Sequence, residues 1–360
     1  MSRVINVAII GAGIGGEHLD AYRQLTNRFC VRTVCDLDAE RAASIIGKDD
    51  IAIEADFNAV LTDPAIDLVD ICLPPHLHFS NALLALKAGK HVICEKPLAT
   101  SLQEVDALAD VAARADRKLF PVFQYRYGPA MDQLKALVSA GLAGKPFAAS
   151  LETHWNRGPD YYAVPWRGTW AGEQGGAVLG HAIHNHDLLT HIVGPVARLS
   201  AMTATRVNDI ETEDCAAITF QMENGAVATS SITLGAATDT TRLRVCFEGF
   251  TAESGTAPYA PANDIWTFRA RDPDKQSQID EVLASVSTKH FGFAGFFEAI
   301  ADCLIDTANY EVSLADGRRS IELVTAVYQA ARSRSNVELP LGPNTPYYDG
   351  WLPTPDTKGT

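Results

Sequence analysis

The apolar run Val4–Ile10 passes without a break into Gly11-Ala12-Gly13-Ile14-Gly15-Gly16, and a helical pattern follows at once. This order of strand, glycine-rich turn and helix constrains the fold more than any other stretch. It fits G-x-G-x-x-G with Gly11, Gly13 and Gly16 in the three places, in the context a dinucleotide-binding motif requires. Gly11 permits the tight turn, Gly13 lets the backbone approach a pyrophosphate, and Gly16 is predicted to allow close helix–strand packing. Gly11, Gly13, Ile14 and Gly15 are therefore the candidate phosphate contacts, at a helix N-terminus that offers N–H donors and a positive dipole end. Asp36 ends the next strand pattern twenty residues past Gly16, where a carboxylate binds the ribose 2′-hydroxyl. A carboxylate there repels a 2′-phosphate, and Asp38 adds a second negative charge. NAD is expected rather than NADP, and Arg41 reads as a solvated helix-surface residue.

The same alternation continues. Val31–Cys35, Leu68–Leu73, His91–Cys94 and Leu119–Phe123 read as strands apolar on both faces, as in a parallel sheet covered by helices. Glu17–Leu25, Ala39–Ile46, Phe79–Ala88 and Leu102–Ala115 carry apolar residues at helical spacing, with Ser101 a candidate N-cap and Gly89 a candidate C-terminal cap. Residues 1–126 are thus predicted to form a doubly wound Rossmann domain. At 360 residues the chain exceeds what one core usually supports, so a second domain is expected over 127–360. There the pattern changes to a helix, Ala130–Ala140, and to period-two runs at Phe147–Trp155, Val196–Thr205, Ala216–Met222, Ala226–Leu234 and Leu243–Phe247. Asn224-Gly225 marks a hairpin. Phe291–Ile305 and Ala315–Ser333 read as late helices, and the Pro/Gly-rich tail as a strap folding back. The class is α/β, with a large, mostly antiparallel open sheet in the second domain.

Lys and Arg number 30 against 44 Asp and Glu, a net charge of −14 with no basic cluster, which argues against nucleic-acid and anionic-membrane partners. No apolar stretch reaches the roughly 20 residues of a membrane span. The first residues run straight into a strand pattern, so no signal peptide is expected. Seven scattered cysteines without a C-x-x-C pair suit a reduced, cytoplasmic setting.

Two groups carry chemistry. Glu95-Lys96-Pro97 closes the strand His91–Cys94 at the carboxyl edge of the sheet, where ligands bind in such folds. Lys96 can hold an ammonium beside a substrate hydroxyl, or accept a proton if desolvation lowers its pKa from the usual value of about 10.4. The second group is Gly175–Asp187, where a helix puts His184, Asp187 and His191 roughly on one face, with His181 one turn before His184. A neutral imidazole is the commonest general base near physiological pH. No histidine spacing matches a zinc signature, even with His154 approaching the helix, so no metal is expected. Trp155, Trp166 and Trp170 cluster with Tyr161 and Tyr162 just before this helix; such rings stack on sugar C–H faces, and His154, Asn156 and Arg157 can bind hydroxyls.

The glycine motif, Pro74-Pro75-His76-Leu77-His78, Glu95-Lys96-Pro97, Tyr125-Arg126-Tyr127, Trp166-Arg167 and Gly175–Asp187 occur in an order that resembles the glucose–fructose oxidoreductase/inositol dehydrogenase (Gfo/Idh/MocA) family, from about Val4 to Pro353. The resemblance implies NAD(P)-linked oxidation or reduction of sugar or polyol hydroxyls, and a homodimer or homotetramer assembled through the C-terminal sheet. It makes Lys96 the catalytic lysine and His184 the active-site histidine. It lines the cofactor trench with Pro74, His78, Glu95, Lys96, Gln124, Trp166 and Arg167. The substrate side comprises Lys96, Arg126, His154, Trp155, Arg157, Tyr162 and His184. The expected reaction sends hydride from a carbinol carbon to nicotinamide C4, with Lys96 and His184 handling the hydroxyl proton in either order. The family's usual Asp, four residues before His184, is Gly180 here, and its Gly two before is Ala182. His181 or Asp187 then takes over the orientation of His184. That departure keeps open an NAD-retaining lyase, epimerase or glycosidase that works by transient oxidation, beside a non-catalytic NAD-sensing regulator and a metal-assisted enzyme.

Overall fold

The computed structural model describes residues 4–287, 289–305 and 312–353. In the N-terminal part, strands β1 (Ile5–Ile10), β2 (Phe29–Cys35), β3 (Ala52–Glu54), β4 (Leu68–Ile71), β5 (His91–Cys94) and β6 (Leu119–Pro121) alternate with helices α1 (Gly15–Arg23), α2 (Ala39–Ile46), α3 (Phe57–Thr62), α4 (His78–Lys87) and α5 (Leu102–Ala115). The six strands are parallel in the order β3-β2-β1-β4-β5-β6. The strand order reverses direction between β1 and β4, the crevice where such sheets bind ligands. Val7, Ile9, Leu68, Val69 and Ile71 are fully enclosed, as a sheet covered on both faces requires. The predicted caps form: Ser101 accepts the Glu104 N–H at 3.1 Å, Glu104 reaches back to the Thr100 N–H at 2.9 Å, and Gly89 turns at φ +76°. The sequence pattern predicts five of the strands and misses β3 and α3. Three residues on a sheet edge and a six-residue helix are too short to show a period.

The chain continues through α6 (Pro129–Ser139), β7 (Pro146–Asn156), the short helices α7 (Pro159–Tyr162), α8 (Trp170–Glu173) and α9 (Ala177–Gly180), and α10 (Ile183–Val193). Then come β8 (Val196–Ala204), β9 (Cys215–Met222), β10 (Val227–Thr233), β11 (Gly235–Phe247), β12 (Phe250–Glu253) and β13 (Thr267–Ala270). Helices α11 (Gln276–Ala284), α12 (Gly292–Ile305) and α13 (Leu314–Ser333) precede a final strand, β14 (Val337–Glu338). Strands β7 to β14 form one sheet in the order β13-β12-β11-β7-β10-β9-β8-β14, antiparallel except for β7 beside β10. Asn224-Gly225 makes the β9–β10 hairpin, with Gly225 at φ +87°. One face of the sheet is covered by α10. The other is open, where Met202 is 73% exposed beside a hollow of about 1400 Å³.

Two compact units result: Met1–Phe123 with Phe293–Ile321, and Gln124–Gly292 with Glu322–Thr360. The sequence reading places one boundary at 126/127 and sends all later residues to the second domain. Helix α12 departs from that reading because its aromatic face completes the first core. Phe297 lies flat on Tyr22, ring centroids 4.1 Å apart, and Arg318 of α13 pairs with Asp106 of α5 at 2.7 Å. The tail straps onto the second unit: Leu341 N–H donates to Glu322, and Trp351 is fully buried against Tyr328. No described helix is long and apolar enough to cross a membrane.

Candidate functional site

In the first unit, Gly11 turns at φ +100°, and a Cβ there would meet the Cys72 carbonyl oxygen at 2.6 Å, so no larger residue fits. Gly13 faces open space, with nothing within 4 Å of its Cβ position, as a cradle for pyrophosphate requires. The close helix–strand packing belongs to Gly15, whose Cβ would lie 2.8 Å from Ile9, rather than to Gly16, which packs against Ile45 of α2. Asp36 is buried at the end of β2. Its carboxylate accepts the Ala12 N–H at 2.6 Å and the Asp38 N–H at 2.8 Å. Arg41 is no solvated bystander: its guanidinium reaches both Asp36 oxygens, at 2.7 and 3.0 Å. Burial pushes the Asp36 pKa up, but the bonds from Arg41, Ala12 and Asp38 outweigh it and hold the carboxyl below its ordinary value. The open glycine cradle and this buried, ionised acceptor fit the adenosine-pyrophosphate half of NAD.

Lys96 stands half-buried just beyond β5, on a turn whose Lys96–Pro97 peptide bond is cis. Glu95 is buried beside it and accepts the Lys96 N–H at 3.0 Å. Pro74 leads into the turn before α4. His78 corrects a sequence expectation. It is buried, and its Nδ1 and Nε2 each lie 2.6 Å from a backbone carbonyl, those of Pro97 and Leu73. The two carbonyls enclose the ring edge within the protein, and His78 braces the loops after β4 and β5 rather than contacting cofactor. Burial also lowers its pKa.

In the second unit, the Gly175–Asp187 stretch is two helices, α9 and α10, with His181 and Ala182 at the break. Gly176 must be glycine, because a Cβ would fall 2.0 Å from the Glu213 carbonyl oxygen. The Glu213 carboxyl accepts the Val178 N–H and the Tyr328 hydroxyl, both at 3.0 Å, and so anchors α9. The sequence reading passed over Glu213; only its place beside a required glycine marks it. Burial drives its pKa up to about 7 from 4.5. The folded state therefore holds a proton that the unfolded state releases, and stability falls as pH rises from about 4.5 to 7. Glu213→Gln is expected to remove about 3 kcal/mol of that slope, from 1.36 kcal/mol per pKa unit. Urea unfolding of both proteins at pH 5 and pH 8 checks it, and an unchanged slope in the variant refutes it.

Helix α10 carries His184, Asp187 and His191, as predicted. His184 is buried, with its ring stacked 4.6 Å from that of Tyr125. Arg126, expected on the substrate, is buried instead against Asp187, its Nε donating at 2.7 Å with a second bond from the same guanidinium. Asp187 thereby secures to α10 the Gln124–Arg126 turn, whose Tyr125 ring stacks on His184. His181 packs against the Trp155 and Tyr161 rings, each 5.6 Å away. His154 does not approach α10. It sits on the opposite face of β7 from Thr153, bonding Ser231, while Thr153 bonds Asn185 of α10. Strand alternation turns neighbouring side chains to opposite faces, which removes His154 from the substrate group. Arg157 lies over the Trp155 and Tyr161 rings and bonds Asp239 at 2.9 Å and the Tyr259 hydroxyl at 2.8 Å. Tyr162 is half-buried, which pushes its phenol pKa up. Arg167 stacks 4.0 Å over Tyr161, and Trp166 is partly exposed. Among the described residues, the His/Asp/Cys group with ligand-type atoms within 4.8 Å of one another is His18, Asp70 and Cys72, which no sequence spacing singled out.

A family model described as an oxidoreductase family with an NAD-binding Rossmann fold matches residues 5–123, and one described as the GFO/IDH/MocA C-terminal domain matches residues 131–253. The levoglucosan dehydrogenase of Pseudarthrobacter phenanthrenivorans is 29% identical over 212 residues, covering 56% of this chain and 54% of that protein. The myo-inositol 2-dehydrogenase of Thermotoga maritima is 26% identical over 234 residues, covering 62% of this chain and 66% of that protein. The aligned stretches thus span between about half and two thirds of these relatives' length. Among solved structures, the WlbA dehydrogenase from Chromobacterium violaceum, in complex with NADH and UDP-GlcNAcA, superposes with a TM-score of 0.83 at 26% identity, covering 95% of this chain and 98% of that one.

Proposed function

The chain belongs to the GFO/IDH/MocA oxidoreductase family, with an NAD-binding Rossmann domain, and from that premise we propose that it oxidises a secondary hydroxyl of a sugar, polyol or sugar derivative. The observation that carries the reading is Lys96 on the Glu95–Pro97 turn, at the carboxyl end of a parallel sheet whose glycine cradle and Asp36 suit NAD. NAD, when bound, supplies the acceptor for the hydride that leaves the carbinol carbon. Lys96 holds a positive charge where the alkoxide develops, a preorganised stabilisation of the transition state. His184 takes the hydroxyl proton as general base; in the reverse assignment Lys96 takes it and His184 donates the stabilising hydrogen bond. His181, Trp155, Arg157 and Tyr162 form the carbohydrate side, a wall of rings crossed by one guanidinium. Trp166, Arg167, Pro74 and Gln124 are the cofactor contacts of this reading, and Glu95 and Lys96, which the sequence also puts in the cofactor trench, are assigned instead to the turn and to the substrate hydroxyl. The open sheet face around Met202 suits a homodimer or homotetramer, and the buried thiols of Cys35, Cys72 and Cys94 suit a reducing cytoplasm.

A second reading follows from Gly180. Its Cβ position faces open space, so no carboxylate stands there to relay the His184 proton. An enzyme that keeps NAD bound and oxidises only transiently, as a lyase or epimerase, accommodates that gap. One screen separates the two: cyclitols, aldoses, anhydrosugars, glycosides and a nucleotide-linked uronic acid, each with NAD and NADP, followed by absorbance of the reduced cofactor. Net NADH formation with at least one carbohydrate is expected, and faster with NAD. Product without net NADH favours the transient oxidation, and a clear NADP preference overturns the role given to Asp36.

A further inference from the structure

Beneath the Lys96 turn, wholly within the first unit, lies a buried charged cluster that no step above uses. His18 of α1 is fully enclosed. Its Nδ1 lies 2.9 Å from Asp70 Oδ2 and its Nε2 3.2 Å from Glu95 Oε1. Carboxylates only accept, so a neutral imidazole could satisfy one of them and an imidazolium satisfies both. Everything else packed on the ring agrees with a cation there. Tyr22, also on α1, donates to Asp70 at 2.9 Å, and the Cys72 sulfur lies 3.3 Å from Nδ1. Phe293 and Phe297 of α12 cover the ring at 4.4 and 5.3 Å and add no charge. Burial pushes the His18 pKa down, but the Asp70 carboxylate, by charge and hydrogen bond, raises it well above the ordinary value; burial pushes the Cys72 thiol up to about 12, so it stays protonated and adds no charge. The remaining Glu95 oxygen accepts the Lys96 N–H at 3.0 Å. A continuous line of contacts therefore runs from Asp70 through His18 and Glu95 to the Lys96 backbone.

We propose that His18 is a positioning residue for Lys96: clamped between Asp70 and Glu95 as an imidazolium, it fixes the Glu95 carboxylate and through it the turn that presents the Lys96 ammonium. The inference rests on the reading of Lys96 as the group that meets the substrate hydroxyl. It explains why three charged groups are kept inside an otherwise apolar core. An unpaired charge there would be strongly destabilising, whereas the triad is mutually satisfied and gives the loop after β5 a single seat. Because the clamp acts on geometry, its loss should lower turnover and leave cofactor binding alone, since a misplacement of about 1 Å can cost on the order of 100-fold in rate.

The first test uses the wild-type protein. Nitrogen NMR of ¹⁵N-histidine-labelled protein at pH 8 is expected to show both His18 ring nitrogens protonated, assigned by their loss in His18→Gln; a neutral tautomer overturns the proposal. The second follows the ¹³Cε resonance of Lys96, assigned by its loss in Lys96→Met, which is expected to move in His18→Gln; an unmoved resonance counts against the clamp even if no carbohydrate is turned over. The third is kinetic, with the fastest carbohydrate of the screen. His18→Gln is expected to lower kcat about 10- to 100-fold with KM and NADH affinity within about twofold, and to cost nothing further in a Lys96→Met background. Additive losses, or an unchanged kcat beside an inactive Lys96→Met, refute the clamp alone. Full activity in Lys96→Met refutes the reading it rests on.

Discussion

Lys96→Met and His184→Asn are each expected to lower kcat by about 10²- to 10⁴-fold while NADH affinity stays within about twofold. Removing one preorganised donor at a developing oxyanion costs on the order of 10² to 10³ in rate. Removing a positioned general base costs about 10² to 10⁴. Neither side chain is part of the glycine cradle or of the Asp36 acceptor, so cofactor uptake has no reason to fall. Both substitutions preserve approximate size, and His184→Asn keeps a flat polar group against Tyr125. Steady-state kinetics with the best substrate of the screen, beside a fluorescence titration with NADH, decide the matter. If either variant turns over like the wild type, that residue leaves the mechanism. If NADH affinity collapses with kcat, it is a cofactor residue instead.

The second large effect concerns folding. Arg126→Met leaves the Asp187 carboxylate buried beside an apolar chain that cannot neutralise it. Breaking a buried ion pair from one side typically costs about 3–5 kcal/mol, far more than an exposed pair is worth. At roughly 2–4 °C per kcal/mol for a domain of this size, the melting temperature should fall by about 6 °C or more. Removing both charges, as Arg126→Met with Asp187→Leu, should recover most of the loss, because replacing a buried pair by apolar groups is often close to neutral. Thermal unfolding at pH 7.5 of the single and double variants tests this. A single variant within about 1 kcal/mol of wild type would mean that water reaches the pair. The kinetic companion is a lower kcat in the single variant, since the same clamp seats the Tyr125 ring against His184.

The parts legible in the sequence share one property: each is local. Gly11, Gly13 and Asp36 declare the first sheet through spacing within forty residues, and Ser101, Gly89 and Asn224-Gly225 mark element ends by their own backbone chemistry. Lys96 and His184 stand out because the residues beside them are also informative. What stayed hidden is tertiary. His18 carries no sign of its carboxylate neighbours, which stand 52 and 77 residues further on. Arg126 and His78 offer polar groups that suit a ligand, and only the fold reveals that Asp187 and two backbone carbonyls already hold them. His154 was misplaced by proximity in sequence to Trp155, although pleating sends the two to opposite faces. The helix α12 joins the first core through an aromatic face that any buried helix could present, so its partner could not be read from its pattern.

Trp351 has its indole wholly enclosed against Tyr328, with its N–H on the Gln174 carbonyl; Tyr328 in turn holds Glu213, and Glu213 anchors the first turn leading to His181 and His184. During synthesis, the histidine-bearing segment is therefore made some 170 residues before the last side chain it leans on. The stretch that carries His181 and His184 gains its full support only once the chain has been made as far as Trp351.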